Sequence, residues 1–283
     1  MRLFALTALT MMAFATNSVL NRAALVGGGI DAVSFGVIRL AAGALMLGVL
    51  VYALRGRVHL GGPGRWIGVS ALLLYIFGFS LAYEALDAGF GALILFGVVQ
   101  ITMFGGGLIV GERMPARRWA GATLAFGGLI WLLWPGAGPQ ISPVHAALMA
   151  LAGVGWGLYS LAGRREADAL RGTAANFILA ALLATLAAFV LPIGGTVEAG
   201  PAGIALAVVS GAVTSGLGYA LWYHVLPGLA ASSAAVAQLT VPIIAMAGGM
   251  LFLGEALSPE FAVAALVVLG GVALSVLPTG PRR

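Results

Sequence analysis

The sequence predicts an all-α membrane protein of ten transmembrane helices arranged as two inverted five-helix repeats. Three observations predict it: the composition, ten apolar segments of similar length, and an internal duplication. Of the 283 residues, 61% are hydrophobic and only 8% are charged, with a mean hydropathy of +1.07. Soluble domains carry about a quarter charged residues. A single soluble core could not bury this much apolar surface, so we expect the lipid bilayer to surround the chain.

The ten apolar segments each approach the ~20 residues that a helix needs to cross a bilayer. Breaks rich in glycine and proline, and one charged run, separate them. The shortest turns fall after the third and the eighth segments. The predicted spans are 3–25, 31–54, 64–85, 88–111, 115–134, 142–162, 173–191, 201–225, 228–253 and 258–277.

The duplication joins residues 1–141 to residues 142–283 as two repeats of five spans. Paired signatures of the first half recur in the second half in the same order and spacing: Gly105-Gly106 with Gly248-Gly249, Gly111-Glu112 with Gly254-Glu255, and Gly127-Gly128 with Gly270-Gly271. An odd number of spans turns the second copy upside down in the membrane. Inverted repeats are typical of alternating-access transporters, whose substrate site lies near the bilayer midplane. The first span has a counterpart in the sixth, which argues against a signal peptide.

The distribution of arginine predicts the orientation. With the N-terminus in the cytoplasm, all but Arg22 and Arg39 of the 14 basic residues fall at cytoplasmic ends or loops, as the positive-inside rule requires. We therefore expect both termini in the cytoplasm and a multi-pass location in a bacterial-type inner (plasma) membrane. The net charge of +5 does not indicate nucleic-acid binding, because the arginines are dispersed over short loops rather than gathered on one face.

The sequence lacks the residues that several kinds of catalysis and metal binding require. The chain has no cysteine, its three histidines have no metal-ligand spacing, and it contains neither lysine nor a phosphate-binding loop. No buried carboxylate pair or activated nucleophile is evident at depth. We therefore expect no catalytic residue, no metal, no cofactor and no enzymatic activity. The expected partners are the lipid bilayer and a small-molecule substrate.

Both halves of the chain carry a family resemblance. Its signs are Gly254-Glu255-Ala256-Leu257-Ser258, Pro242 upstream, the first-half counterpart Gly111-Glu112-Arg113-Met114, and Arg39 in the second span. In these features the chain resembles the EamA repeat of the drug/metabolite transporter superfamily, over nearly its whole length. Within the superfamily it is most similar to the YddG-type aromatic amino-acid exporters, which implies export of amino acids with aromatic or large apolar side chains. The chain departs from the family pattern at Val99, where the family has proline, and at Ala181, the counterpart of Arg39.

Four polar side chains inside the spans are candidate substrate ligands: Asn17, Arg39, Gln100 and Gln238. Polar groups at membrane depth face the bundle interior or a water-filled cavity. Arg39, near the middle of its span, either meets a substrate carboxylate, or caps carbonyls, or extends towards the interface. The three amides either bind a zwitterionic substrate or hold helices together.

Aromatic residues deep in the spans are the candidate walls of a central cavity. Tyr75, Phe79 and Tyr83 share one helical face, and the third and eighth spans are repeat mates. An aromatic cavity with few charges suits apolar or aromatic side chains. The alternative is packing against lipid. The candidates are Tyr75, Phe79, Tyr83, Trp156, Tyr159 and Tyr219.

Small residues and one proline are candidate packing and hinge positions. Gly105, Gly106, Gly248 and Gly249 predict close packing of the fourth span on the fifth and of the ninth on the tenth. A dimer surface is the alternative, so the protein is a monomer or a homodimer. Pro242 predicts a kink in the ninth span, serving either as a hinge or as a fixed bend.

The sequence thus predicts a secondary transporter that exports small organic solutes by alternating access through a central cavity. Aromatic and other large apolar amino acids are the expected substrates. The alternatives are a drug/metabolite exporter of the same fold with another substrate and a non-transporting membrane scaffold. Glu112 and Glu255, at span ends, are read as capping residues in preference to proton-coupling carboxylates.

Overall fold

The computed structural model describes residues 1–27, 29–111, 114–134, 142–163, 166–190, 199–229 and 231–276. Glu112 and Arg113 of the first-half signature lie outside these ranges. All regular secondary structure of the described residues is helical, and the helices are joined by loops and turns, with one isolated β-bridge between Ile30 and Ala199.

The helices follow the predicted segments closely. They are α1 (Arg2–Val26), α2 (Ala32–Arg55), α3 (Arg65–Ala82), α4 (Ala88–Ile109), α5 (Ala116–Leu133), α6 (Pro143–Gly163), α7 (Ala169–Val190), α8 (Pro201–Gly228), α9 (Ala231–Gln238), α10 (Thr240–Leu253) and α11 (Pro259–Val276).

Eight helical stretches are long and apolar enough to cross a membrane: α1 to α4, α6 to α8, and Val236–Leu253. The helix α5 begins with two arginines, Arg117 and Arg118, and α11 is shorter in its apolar part. The structure therefore confirms an all-helical protein suited to a membrane. The count of ten spans stays a prediction.

The predicted ninth span is divided into α9 and α10, which meet at Leu239. Pro242 stands in the first turn of α10. A proline has no N–H to donate to the carbonyl four residues earlier, and its ring crowds that carbonyl, which here belongs to Gln238. The break therefore lies one turn before the proline. The use of Pro242 as a hinge stays a prediction.

Two local signals explain where the helices begin and end. The Asp31 carboxylate accepts a hydrogen bond of 2.9 Å from the Ser34 N–H at the start of α2, which satisfies one of the free amides of the first turn. Gly254 ends α10 with φ of 68°, a left-handed conformation that glycine adopts without steric cost. This turn directs the next residue, Glu255, back towards the bundle.

Helices of the two halves pack on one another in pairs. Helix α3 packs on α6 and α7, and its repeat mate α8 packs on α1 and α2. Helix α4 packs on α6, whereas α10 packs on α1. Other contacts between the halves join repeat mates, namely α2 with α7, α4 with α10 and α5 with α11, and α4 also contacts α11. Each principal contact between the halves thus has a counterpart in which every helix is replaced by its repeat mate.

The glycine pairs of the fourth and ninth spans make other contacts than predicted. Gly106 lies against α6, Gly248 against α1, and Gly249 against the start of α4, while Gly105 has no heavy atom within 4 Å of a built Cβ. The expected packing of α4 on α5 and of α10 on α11 through these glycines was therefore wrong. Periodicity identifies a small-residue face, but it does not identify the helix that covers it.

The close contact of α5 is with α11. A Cβ built on Gly271 would lie 2.6 Å from the amide nitrogen of Ala125, and one on Gly121 would lie 2.5 Å from the Gly271 carbonyl oxygen. Seven residues further along α5, Gly128 faces Val267, which precedes Gly271. The two helices therefore run antiparallel with their backbones in contact.

Candidate functional site

Nine aromatic rings form a continuous buried cluster between the two halves. Trp156 lies at its centre, with ring centroids 5.0 Å from Tyr75, 5.0 Å from Tyr219 and 5.5 Å from Tyr159. The aromatic cluster consists of Phe14, Tyr75, Phe79, Tyr83, Trp156, Tyr159, Phe177, Tyr219 and Trp222. It contains all six aromatic residues proposed from the sequence, in mutual ring contact.

The helical period and one glycine build this cluster. Tyr75 and Phe79 are one turn apart on α3, and Tyr83 follows immediately after its end. Helix α6 approaches α3 closely at Gly155, where a built Cβ would lie 2.7 Å from the amide nitrogen of Tyr75. The adjacent Trp156 therefore lies directly against the α3 rings, at a centroid distance typical of aromatic pairs.

Arg39 enters the cluster from α2 and is fully buried. Its Nε donates to the Ser215 hydroxyl at 3.1 Å, and its Nη2 donates to the Tyr75 hydroxyl at 3.0 Å. The guanidinium carbon lies 5.2 Å from the ring centroid of Tyr75 and 5.1 Å from that of Phe79, within cation–π range. The side chain therefore points into the bundle, neither capping carbonyls nor reaching the interface.

Among the residues that the structure describes, no carboxylate pairs with the guanidinium of Arg39. The seven described acidic residues lie in loops, at helix caps or in a first helical turn: Asp31, Glu84, Asp87, Glu166, Asp168, Glu255 and Glu260. A positive charge at bilayer depth costs at least ~2.5 kcal/mol. A buried charge of this kind favours an anion as its ligand.

Two polar atoms at this site have no hydrogen-bond partner among the residues that the structure describes: Nη1 of Arg39 and the hydroxyl of Tyr219. Both side chains are almost completely buried. Buried polar groups are bonded in the large majority of cases. Unpartnered donors beside aromatic rings are the groups that a polar ligand would engage.

The middle of α8 is π-helical over Ser210–Leu217, a rare conformation that often marks functional sites. This segment supplies Ser215 to Arg39, and its hydroxyls of Ser210 and Thr214 both donate to the Asn17 amide oxygen, the latter at 3.1 Å. Asn17 therefore joins α1 to α8 through hydrogen bonds between the two helices.

The other two candidate amides lie elsewhere. Gln100 on α4 and Gln238 on α9 are half-buried, and neither contributes to the hydrogen bonds of Arg39 or Asn17 within the described ranges. Their proposed contact with substrate stays a prediction.

An arginine at the end of α1 holds one end of the bundle together. Arg22 donates to the carbonyl oxygens of Tyr83 and Glu84 at 3.0 Å each. Its Nη2 lies 3.4 Å from an Asp87 carboxylate oxygen, and its Nε lies 3.6 Å from Glu255 Oε1. We call Arg22, Glu84, Asp87 and Glu255 the outer cluster. It joins the first half to the second.

Glu255 caps a helix of the opposite half. Both of its carboxylate oxygens accept from the Ala88 N–H at 2.9 Å, at the positive N-terminal end of α4. Burial raises the pKa of the Glu255 carboxyl, the Ala88 N–H lowers it, nearby Asp87 raises it, and Arg22 lowers it, with a net increase. The capping role expected for this residue matches these contacts.

A second arginine holds the other end. Arg65, at the start of α3, pairs with Glu166 at 2.9 Å and donates to Asn176 Oδ1 at 2.8 Å and to the Gly172 carbonyl at 2.9 Å. The Arg65 guanidinium also donates to two backbone carbonyls of the loop that precedes α3. Arg65, Glu166, Gly172 and Asn176 form the inner cluster, which also spans the two halves.

Comparison with known proteins identifies the family. Residues 145–277 match the model of the EamA-like transporter family. The chain is 50% identical over 278 residues to the uncharacterized Pseudomonas aeruginosa protein PA1977, covering 98% of this chain and 95% of that protein. It is 32% identical over 178 residues to the uncharacterized transporter YwfM of Bacillus subtilis, covering 61% and 58% of the two chains.

The second half of the chain therefore carries a domain of the EamA-like transporter family. A solved crystal structure shares its fold with a TM-score of 0.67 and 17% identity, covering 97% of this chain and 96% of the other. Members of the EamA family are transporters rather than enzymes. With this domain and its long apolar helices, the chain is a transporter-like, multi-pass membrane protein.

Sequence reasoning missed several residues of the candidate site. Phe14, Ser215 and Phe177 reach the aromatic cluster or Arg39 from three different helices. A signal was present for one of them, because Ser210–Leu217 places three hydroxyl residues inside an apolar span. Phenylalanine in an apolar span gives no comparable signal, since it is common on lipid-facing surfaces.

Proposed function

We propose that this protein is a secondary transporter that exports small organic solutes by alternating access. Its preferred substrates are amino acids with aromatic or other large apolar side chains. It crosses a bacterial inner membrane ten times, as two inverted repeats over residues 1–141 and 142–283, with both termini in the cytoplasm. The observation that carries the proposal is Arg39, which is buried within the aromatic cluster and has no carboxylate partner in the described part of the chain.

Contacts at the outer cluster support ten crossings. Glu84, just before α4, lies 3.9 Å from His145, at the start of α6. The beginnings of α4 and α6 are therefore on one side. Helix α4 leads to the opposite side, so the segment between α4 and α6 must cross an odd number of times. Helix α5, the one helix described in this segment, would make that crossing.

The contacts between the halves support the inverted arrangement. Helices α5 and α11, the last of each repeat, pack antiparallel, as two copies of opposite orientation require. The pairing of α3 with α6 and of α8 with α1 follows the same exchange of halves. A membrane scaffold would not need this symmetry, whereas two-sided access to one central site does.

The inner and outer clusters suit the two gates of such a transporter. Arg65 and Arg22 belong to the first half, and their carboxylate partners Glu166 and Glu255 belong to the second half. Opening the central site to one side separates the halves at that end, which breaks one cluster and leaves the other closed. The aromatic rings, now in mutual contact, would part to admit a substrate side chain.

The charge of the site supports an anionic or zwitterionic substrate. Arg39 would repel a cationic drug, while it attracts a carboxylate. The surrounding rings of Tyr75, Phe79 and Trp156 match an apolar or aromatic side chain. One arginine is too few for a phosphorylated substrate, which binds to several basic groups.

The test is uptake of labelled phenylalanine, tryptophan and methionine into proteoliposomes, with and without a proton gradient. We expect uptake above that of empty vesicles, reduced in Trp156→Ala and Tyr75→Ala at unchanged expression. Trp66→Ala and Tyr52→Ala are matched controls, since both side chains are exposed. If all three amino acids enter no faster than into empty vesicles, the amino-acid proposal fails. Transport of another organic solute would then support the alternative substrate class.

A further inference from the structure

Two side chains of this buried site each carry a polar atom that makes no hydrogen bond among the described residues: Nη1 of Arg39 and the hydroxyl of Tyr219. Arg39 is joined to Tyr75 by the bond from its Nη2. The Tyr75 and Tyr219 rings both lie 5.0 Å from the ring of Trp156. The site thus offers one free N–H donor and one free O–H donor, which is the number that the two oxygens of one carboxylate need.

The described residues provide no carboxylate for an ammonium group in this cluster. All described carboxylates lie in loops, at helix caps or in a first helical turn, so an ammonium in the cluster would have no counter-ion. The faces of Tyr75 and Phe79, which could attract a cation, already carry the Arg39 guanidinium. A second positive charge beside Arg39 would be repelled in a medium of low dielectric constant.

We propose that this site recognises the carboxylate and the apolar side chain of its substrate and makes no use of the α-ammonium group. Aromatic monocarboxylates without an amino group therefore bind with affinities within about threefold of those of the corresponding amino acids. The substrate carboxylate accepts from Nη1 of Arg39 and from the Tyr219 hydroxyl, and its ring replaces contacts among the aromatic residues. This inference rests on the proposed function, because it concerns the same site.

The experiment is calorimetric binding to the purified full-length protein in detergent, which avoids passive leakage of weak acids across vesicles. The three ligands are L-phenylalanine, 3-phenylpropionate, which lacks the amino group, and 2-phenylethylamine, which lacks the carboxylate. We expect a dissociation constant for 3-phenylpropionate no more than about threefold above that of phenylalanine. The amine should bind at least about a hundredfold more weakly than either.

The possible outcomes separate this inference from the proposed function. If phenylalanine binds and 3-phenylpropionate binds a hundredfold more weakly, the ammonium is recognised and the inference is overturned, while the proposed function stands. If the amine alone binds, or if no ligand binds, the proposed function and the inference both fail.

Removal of the Tyr219 hydroxyl tests where the substrate carboxylate binds. Tyr219→Phe should weaken phenylalanine and 3-phenylpropionate by the same factor, about tenfold for one hydrogen bond to a charged group. Tyr52→Phe is the matched control, because that tyrosine is exposed on α2. Unchanged affinities for both ligands in a folded Tyr219→Phe variant would remove the carboxylate from this position.

Discussion

Tyr75 and Tyr219 of the aromatic cluster differ in the hydrogen bonding of their hydroxyls, which makes them a matched pair for mutation. The Tyr75 hydroxyl accepts a hydrogen bond from Arg39 at 3.0 Å, whereas the Tyr219 hydroxyl is unbonded within the described part of the chain. Both are buried, at 5% and 2% exposure. Replacement by phenylalanine removes one oxygen from each and retains the ring contacts. The two variants should therefore differ in stability although their chemistry is the same.

The expected magnitude follows from the lost bond. A hydrogen bond to a charged group contributes about 1.5–3 kcal/mol, and Tyr75→Phe leaves a second N–H of the buried guanidinium unsatisfied. At about 2 °C per kcal/mol for a chain of this size, the unfolding midpoint should fall by about 3–6 °C. Tyr219→Phe loses no bond and buries one polar atom fewer, so its midpoint should change by no more than about 1 °C.

The assay is thermal unfolding in one detergent at one pH and without ligand, followed by tryptophan fluorescence. Tyr52→Phe serves as the exposed control and should match the wild type. Equal midpoints for the two buried variants would show that the Tyr75–Arg39 bond contributes nothing, and would contradict the account of the site given above.

Three further outcomes are expected. Arg65→Gln should destabilise the protein by about 3 kcal/mol in chemical denaturation, because Glu166 loses its buried partner. Gly271→Ala places a methyl group against the backbone of α5 and should lower the free energy of unfolding by about 1–3 kcal/mol or prevent folding. The neighbouring Gly270→Ala is the control, because open space surrounds Gly270, and it should leave the stability unchanged or slightly higher. Similar effects of the two substitutions would contradict the α5–α11 contact. The folded-state pKa of Glu255 is raised, so unfolding midpoints should fall as the pH rises from the usual glutamate value through that raised pKa, and Glu255→Gln should flatten the profile.

The aromatic cluster shows how far sequence patterns reach. The spacing of Tyr75, Phe79 and Tyr83 placed them on one face, and the repeat placed Tyr219 opposite that face. These are local properties, since helical period and chain direction fix them. The partners Phe14 and Phe177 came from other helices, and no local signal predicts which helices become neighbours.

The glycine pairs show the opposite case. Their sequence pattern indicated close backbone packing, and Gly106 and Gly249 do stand in close contact. The expected partners were nevertheless wrong, because helices adjacent in sequence were taken as adjacent in space. The main partners of the fourth helix, α6 and α10, come from the second half of the chain, because the two repeats interleave.

The sequence by itself determined the membrane class, the position of nearly every helix and the duplicated signatures, because apolar length and composition act on each segment separately. Only the tertiary structure decided that Arg39 meets Ser215 across 176 positions of chain, that α8 becomes π-helical beside it, and that Glu255 caps α4. These choices depend on how the two halves dock, and docking is a property of complementary surfaces that no single segment contains.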